Sequence, residues 1–127
     1  MSNLCLDAGA LVALERNDRA LWGALKLASS KGAEVLVPST ALAQVWRSSK
    51  SQVLLGRALG HCVVAGFDPL ARAVGELCGR ARTSDVCDAH VALVAARSAD
   101  VLYTSDPADM RRLLGECRGR NPVIVRC

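Results

Sequence analysis

Short apolar runs alternate along the chain with longer stretches whose apolar positions recur at helical spacing. Segments 4–7, 34–37, 62–65 and 101–104 read as buried strands, and 123–125 as a fifth. Asp18 caps a helix that carries Leu21, Trp22, Leu25 and Ala28 on one face and ends at Gly32. Ser39 or Thr40 caps a short helix through Leu42, Val45 and Trp46, and a further one runs from about 51 to 59. Trp22 and Trp46 fall on apolar helix faces and read as core. Asp68-Pro69 joins an N-cap to a proline at the first helical position and opens a helix to about 80. Ser84 or Asp85 starts another, almost wholly apolar over 89–96, and Asp106-Pro107 repeats the start signal for the last helix. At Asp7, which closes the first strand, no helix start stands out.

Strands alternating with helices imply a parallel sheet covered on both faces, an α/β domain of three layers. No repeat or low-complexity linker divides the 127 residues, so residues 1–127 read as one domain. The 51% apolar content supports a real core and excludes a disordered chain. No apolar run approaches the roughly 18 residues of a membrane span. The start, Met1-Ser2-Asn3-Leu4-Cys5-Leu6-Asp7, lacks the basic region of a signal peptide. The expectation is a soluble, cytoplasmic protein with no membrane contact.

Charge and cysteine content narrow the chemistry only a little. Sixteen basic residues face twelve acidic ones, and thirteen of the sixteen are Arg, whose planar fork suits phosphate. That excess is compatible with nucleic acid. The six cysteines form no CxxC, and neither His61 nor His90 stands at ligand spacing from one, so the pattern favours reduced thiols over zinc. Cys5, Cys62, Cys78 and Cys87 lie in apolar segments, as small hydrophobes do. With four aromatic residues in all, a base-stacking platform is disfavoured. Walker, GxGxxG and GxSxG motifs are absent.

The polar residues at strand ends carry more. In open α/β sheets the functional crevice lies beyond the carboxyl ends of the strands, where strand order reverses. The first strand ends in Asp7 and the fourth in Thr104-Ser105-Asp106; if those two strands are neighbours, the two carboxylates converge at one point. Asp85 and Asp88 lie three apart in the first turn of an apolar helix, where an unpaired carboxylate is costly. Crowded carboxylates raise each other's pKa unless a cation neutralises them, and oxygen ligands without His or Cys suit magnesium or manganese. Each acid also has a plainer reading. Asp106 is a natural N-cap, Asp85 with Asp88 resembles a capping arrangement, Asp7 suits a turn over Ala8-Gly9, and Asp109 reads as the N3 acid of the last helix.

The chain resembles the PIN-domain ribonucleases, and among them the VapC-like toxins of bacterial toxin–antitoxin pairs. The residues that carry the likeness are Leu4-Cys5-Leu6-Asp7-Ala8-Gly9-Ala10-Leu11 and Val37-Pro38-Ser39-Thr40-Ala41-Leu42-Ala43-Gln44-Val45-Trp46-Arg47. They continue in Asp88-Ala89-His90-Val91-Ala92-Leu93-Val94-Ala95-Ala96 and Leu102-Tyr103-Thr104-Ser105-Asp106, in that order. The resemblance implies a three-layer α/β/α fold with a five-stranded parallel sheet of order 3-2-1-4-5. It also implies RNA cleavage dependent on Mg2+ or Mn2+, an antitoxin partner and a homodimer.

On this likeness Asp7, Asp88 and Asp106 are the metal-site acids, and Thr104 is a hydroxyl residue that orients a carboxylate or water. Asp85 is a fourth candidate catalytic acid. Gln44 stands where the family usually has Glu, and Arg47, on the same helix face, is a candidate to steady a phosphate. An amide oxygen brings no negative charge, so Gln44 should weaken cation binding unless Asp85 restores the count. The leading expectation is a metal-dependent endoribonuclease and toxin. Behind it stand a weak or inactive PIN-like module that binds RNA or protein, and an α/β domain whose acids are only helix caps.

Overall fold

In the computed structural model, which describes residues 2–127, five strands form one parallel sheet ordered β3-β2-β1-β4-β5. These are β1 (Leu4–Leu6), β2 (Val35–Pro38), β3 (Val63–Ala65), β4 (Val101–Thr104) and β5 (Val123–Arg126). Seven helices connect them among the described residues. They are α1 (Ala8–Glu15), α2 (Arg19–Ser30), α3 (Ser39–Val45), α4 (Val53–Leu59), α5 (Ala71–Ala81), α6 (Val86–Ser98) and α7 (Pro107–Leu114). Order and connection follow from handedness. The chain steps from β1 to β2 to β3 in one direction, returns across the sheet, and continues through β4 and β5 in the other. Right-handed crossovers therefore send α1–α4 to one face and α5–α7 to the opposite one, which makes three layers. The expected fold class and strand order hold.

The reversal falls between β1 and β4, which pair in register as Leu4 with Val101, Cys5 with Leu102 and Leu6 with Tyr103. Asp7 and Thr104 thus leave the sheet side by side at its carboxyl edge. On one side lies α6, buried from Ala89 to Ala96, because it packs on β1 and β2 and is flanked by α5 and α7 in its own layer.

Four local expectations are corrected. A helix, α1, does begin at Asp7: its eight residues are apolar on every side except Glu15, so they show no amphipathic period. Segment 62–65 is not a buried strand, because Val63 and Val64 are 47% and 48% exposed on the edge strand β3. Val123 on the other edge is 63% exposed. Trp46 is not core, being 39% exposed just past the end of α3, whereas Trp22 packs inward and donates its indole N–H to the Leu14 carbonyl at 3.1 Å. Ser39 and Thr40 do not cap α3. Pro38 precedes that helix, and the two hydroxyls bond elsewhere.

The remaining helix boundaries shift by a few residues. Each of the helices expected near 51 and 68 is preceded by a 3-10 turn, Lys50–Gln52 before α4 and Asp68–Leu70 before α5. Asp18, Asp85 and Asp106 cap their helices as expected, and all six cysteines are free thiols.

Candidate functional site

Asp7 is 5% exposed and anchors the site. Its backbone N–H donates to the Tyr103 carbonyl at 3.2 Å, continuing the β1–β4 pairing, and its Oδ1 accepts the Ala10 N–H at 2.8 Å to cap α1. The amides of Gly9 and Ser105 and the hydroxyl of Thr104 also donate to this carboxylate. Burial raises its pKa, and those hydrogen bonds pull the other way. Such a carboxylate is held in one orientation by donors from two strand ends.

Thr104 is fully buried at the end of β4 and serves two acids. While its hydroxyl donates to Asp7, its oxygen accepts the Asp106 N–H at 2.9 Å. Gly9 makes the approach possible. A Cβ at this position would collide with the Ser105 side chain, so only glycine lets the first turn of α1 lie against the segment that leads to Asp106.

Asp88 sits half-buried in the first turn of α6, and its pKa is pushed up to about 7. Burial is the largest cause, followed by the negative charge of Asp85 and a hydrogen bond with it, then by the charges of Asp7 and Asp109. Asp85 Oδ1 also accepts the Asp88 N–H at 3.0 Å, so the Asp85 carboxylate both caps the helix and works against ionisation of its neighbour. Asp106 is exposed and caps α7, accepting the Asp109 N–H at 3.3 Å. Asp109 is therefore more than the N3 acid that its position suggested, because its charge reaches Asp88. The signal was available in the sequence: acids three apart lie on one helix face, as Asp85 and Asp88 do.

The other residues singled out from the sequence are placed differently. Gln44 is exposed on α3, but α3 ends at Val45, so Arg47 does not share a helix face with it; Arg47 turns its guanidinium back onto the helix end, donating to the carbonyls of Trp46 at 2.8 Å and Ala43 at 3.3 Å. What the sequence did not single out is how α3 is tied beside Asp88. Thr40 Oγ1 lies 2.8 Å from Nδ1 of the buried His90, whose ring meets Phe67 edge-on, and Ser39 Oγ accepts the Phe67 N–H at 3.0 Å. Burial lowers the His90 pKa, keeping the ring neutral. Its Nε2 lacks a well-formed hydrogen bond among the described residues, the Gly66 carbonyl giving only weak support.

The donor set suits a hard divalent cation. The charges of Asp7, Asp85 and Asp109, from the starts of three helices, all reach Asp88, and its upward shift is what crowded acids show when nothing positive offsets them. Among the described residues no three acid, His or Cys side chains form a ready-made ligand set. Asp85 and Asp106 are instead turned onto helix N–H groups, and mutual repulsion opposes closer approach.

No family model matches the sequence, and no curated protein does. Among solved structures the chain is similar to VapBC2 from Rickettsia felis, determined bound to a DNA fragment from the promoter of that pair. The two are 16% identical, the match covers 98% of each chain, and the TM-score is 0.68. Sheet order, helix placement and this likeness together define a PIN-like α/β/α fold. More particularly, it is the fold of the VapC-like PIN domain. No helix among the described residues is long and apolar enough to cross a membrane.

Proposed function

We propose that residues 1–127 form a single PIN-like domain that cleaves RNA with a divalent cation, Mg2+ or Mn2+, and acts in the cytoplasm as the toxin of a type II toxin–antitoxin pair. The observation that carries this reading is Asp88. A half-buried acid, set against Asp85, Asp7 and Asp109 at the switch point of a PIN-like sheet, is destabilised as an anion and gains most from a cation. The partners that go with the reading are an RNA substrate, a separate antitoxin and a second copy of the chain.

Asp7, Asp88 and Asp106 are assigned as the residues that hold the cation. When bound, it supplies charge neutralisation for the phosphate and a more acidic water for in-line attack. The chain's own contributions are separate from that. Thr104 and the Ala10, Gly9 and Ser105 amides fix the Asp7 carboxylate, so one ligand is preorganised. Asp88 holds a proton up to about pH 7, and release of that proton is what binding a cation requires. Gln44 orients water or a phosphate oxygen through its amide without adding charge. Arg47 exchanges the carbonyls of Trp46 and Ala43 for a phosphate.

The test is cleavage of a mixed-sequence RNA by the purified protein, with Mg2+ or Mn2+ and with EDTA, beside Asp7→Asn and Asp88→Asn. Cleavage that needs the cation and falls at least about a hundredfold in both variants is the expected result. RNA binding without cleavage under every condition favours the second reading, a PIN-like binding module. That alternative rests on Gln44 and on the lack of a ready-made ligand set.

A further inference from the structure

We propose that the cleft bounded by α5, α6 and the segment after α7 binds a phosphate group, with Arg80, Arg97 and Arg118 as its clamp. The cleft has a volume of about 530 Å3, and these three guanidinium groups come from three separate parts of the chain. Arg80 lies in the last turn of α5, Arg97 in the last turn of α6, and Arg118 in the connection to β5.

Three arginines and two glutamates line this cleft, which leaves an excess of one positive charge, and among the described residues no ion pair joins them. Glu76 lies one turn before Arg80, at the spacing where Glu and Arg pair on helices. Arg80 instead reaches across the cleft, where its Nη2 donates to the Glu116 carbonyl at 3.2 Å. Among the described residues the one ion pair is Arg120 with Asp100, so neither Glu76 nor Glu116 closes a bridge to the clamp. Burial pushes the Cys117 thiol up, and the charges of Arg80 and Arg97 both reach it and pull the other way, against a smaller opposing effect of Glu116, so the two guanidinium groups act on one place in the cleft. Cations at helix C-termini are favourable in themselves, which accounts for Arg80 and Arg97 singly. It does not account for Arg118 lining the same space.

Guanidinium groups converging from several elements suit a phosphate, whose oxygens accept paired hydrogen bonds. Glu76 and Glu116, which line the same cleft, add acceptors that disfavour a bare polyanion and suit hydroxyl or amino donors, so the phosphate belongs to a nucleotide or to an RNA strand. Arg97 and Asp88 are nine residues apart on α6, about 14 Å along the helix axis, and at opposite ends of it. The cleft is thus separate from the acid cluster, and phosphate binding there does not depend on the nuclease reading.

The experiment is an amide-resolved NMR titration of the full chain in EDTA with inorganic phosphate, with 5′-AMP and with a short oligoadenylate. Saturable shifts at the amides of Arg97 and Gly115–Arg118 are expected, with AMP stronger than phosphate. The paired substitution Arg97→Gln with Arg118→Gln should raise the Kd by about tenfold or more. Both side chains are exposed, so that variant keeps its melting temperature. Shifts with AMP identify a nucleotide as the carrier. Shifts with the oligoadenylate alone, lost in the double variant, identify a strand. Absence of shifts at these amides with all three probes overturns the proposal, as does an unchanged Kd in the double variant. Loss of the shifts in Asp7→Asn would place the phosphate at the acid cluster and overturn it as well.

Discussion

Asp85 holds the backbone N–H of Asp88 at 3.0 Å and, with the same carboxylate, opposes ionisation of the Asp88 side chain. One residue thereby orders the start of α6 and keeps a proton on the acid beside it. This arrangement makes stability depend on pH in a definite direction. The Asp88 pKa is raised from 3.8 to about 7 by folding, so the native state binds more protons than the unfolded one between those values. The contribution of Asp88 must then fall as pH rises through that window, Asp7, also shifted upward, adds to the same slope, and His90, shifted downward by burial, acts in the opposite sense. Asp88 is only half-buried, so solvent screening limits its share to about 1–2 kcal/mol. Urea denaturation at pH 4.5 and pH 7.5 should show the loss, and Asp88→Asn should remove most of it. An Asp88→Asn variant with the same pH dependence as the parent would contradict the assignment, since the opposing contribution of His90 is common to both.

Cation binding should be linked to the same proton. A ligand that binds only the native state raises stability by mass action, by about 2.7 kcal/mol at a hundredfold excess over Kd. At this chain length that corresponds to a rise in Tm of about 8 °C. Thermal melts with millimolar Mg2+ or Mn2+ should show the rise in the parent protein, and Asp7→Asn and Asp88→Asn should abolish it. The effect should grow from pH 6 to pH 8, because binding must displace the proton that Asp88 holds. Equal shifts at both pH values would place the cation elsewhere.

Gln44→Glu tests whether charge is what the acid cluster lacks. The side chain is exposed on α3, so the substitution costs little stability, within about 0.5 kcal/mol. On the proposed function, a fourth carboxylate at this position should tighten Mg2+ binding by about tenfold and raise RNA cleavage with it. Cation affinity measured by calorimetry decides the point. No gain would mean that Asp85 and Asp109 already supply the charge that Gln44 omits.

Much of this arrangement was legible in the sequence because it rests on strand ends and helix caps, both of which have local signatures. Asp7, Thr104 and Asp106 could be placed at one edge of the sheet once β1 and β4 were neighbours. Asp85 and Asp88 shared a face by spacing alone. Three features were hidden for physical reasons. Helix α1 is apolar nearly all round, so its period vanished although Asp7 caps it. The exposure of Val63 and Val64 depends on β3 being an edge, which composition does not reveal. The hydrogen bond between Thr40 and His90 joins residues fifty positions apart, and no local pattern announces it.

Thr104→Val should separate orientation from fold. Valine keeps the volume but removes the donor to Asp7 and the acceptor for the Asp106 N–H, in a fully buried place. Leaving those groups short of a partner costs about 1–3 kcal/mol, and the Asp7 pKa should climb further. Cation affinity should fall by more than the loss of stability explains. Thr104→Ser restores the hydroxyl and should recover affinity even if packing suffers. Equal affinities for the Val and Ser variants would show that Thr104 serves packing alone.

Gly9→Ala probes the contact that brings the two strand ends together. The added methyl group collides with the side chain of Ser105, and part of the collision is with its Cβ, which cannot swing away as a terminal atom would. Overpacking at a place this tight costs about 1–3 kcal/mol. Alanine is otherwise the better helix former by about 0.8–1 kcal/mol, so a collision is needed to explain any net loss. Ser105→Gly removes both colliding atoms and should return most of the stability when combined with Gly9→Ala. The single variant should also weaken cation binding, because the segment that carries Asp106 is pushed from the turn capped by Asp7. Chemical denaturation of both single variants and the double variant closes the cycle, with a coupling of about 1 kcal/mol or more expected. Additive effects would show that the Gly9–Ser105 contact is slack and that the β1–β4 pairing alone sets the distance between the two acids.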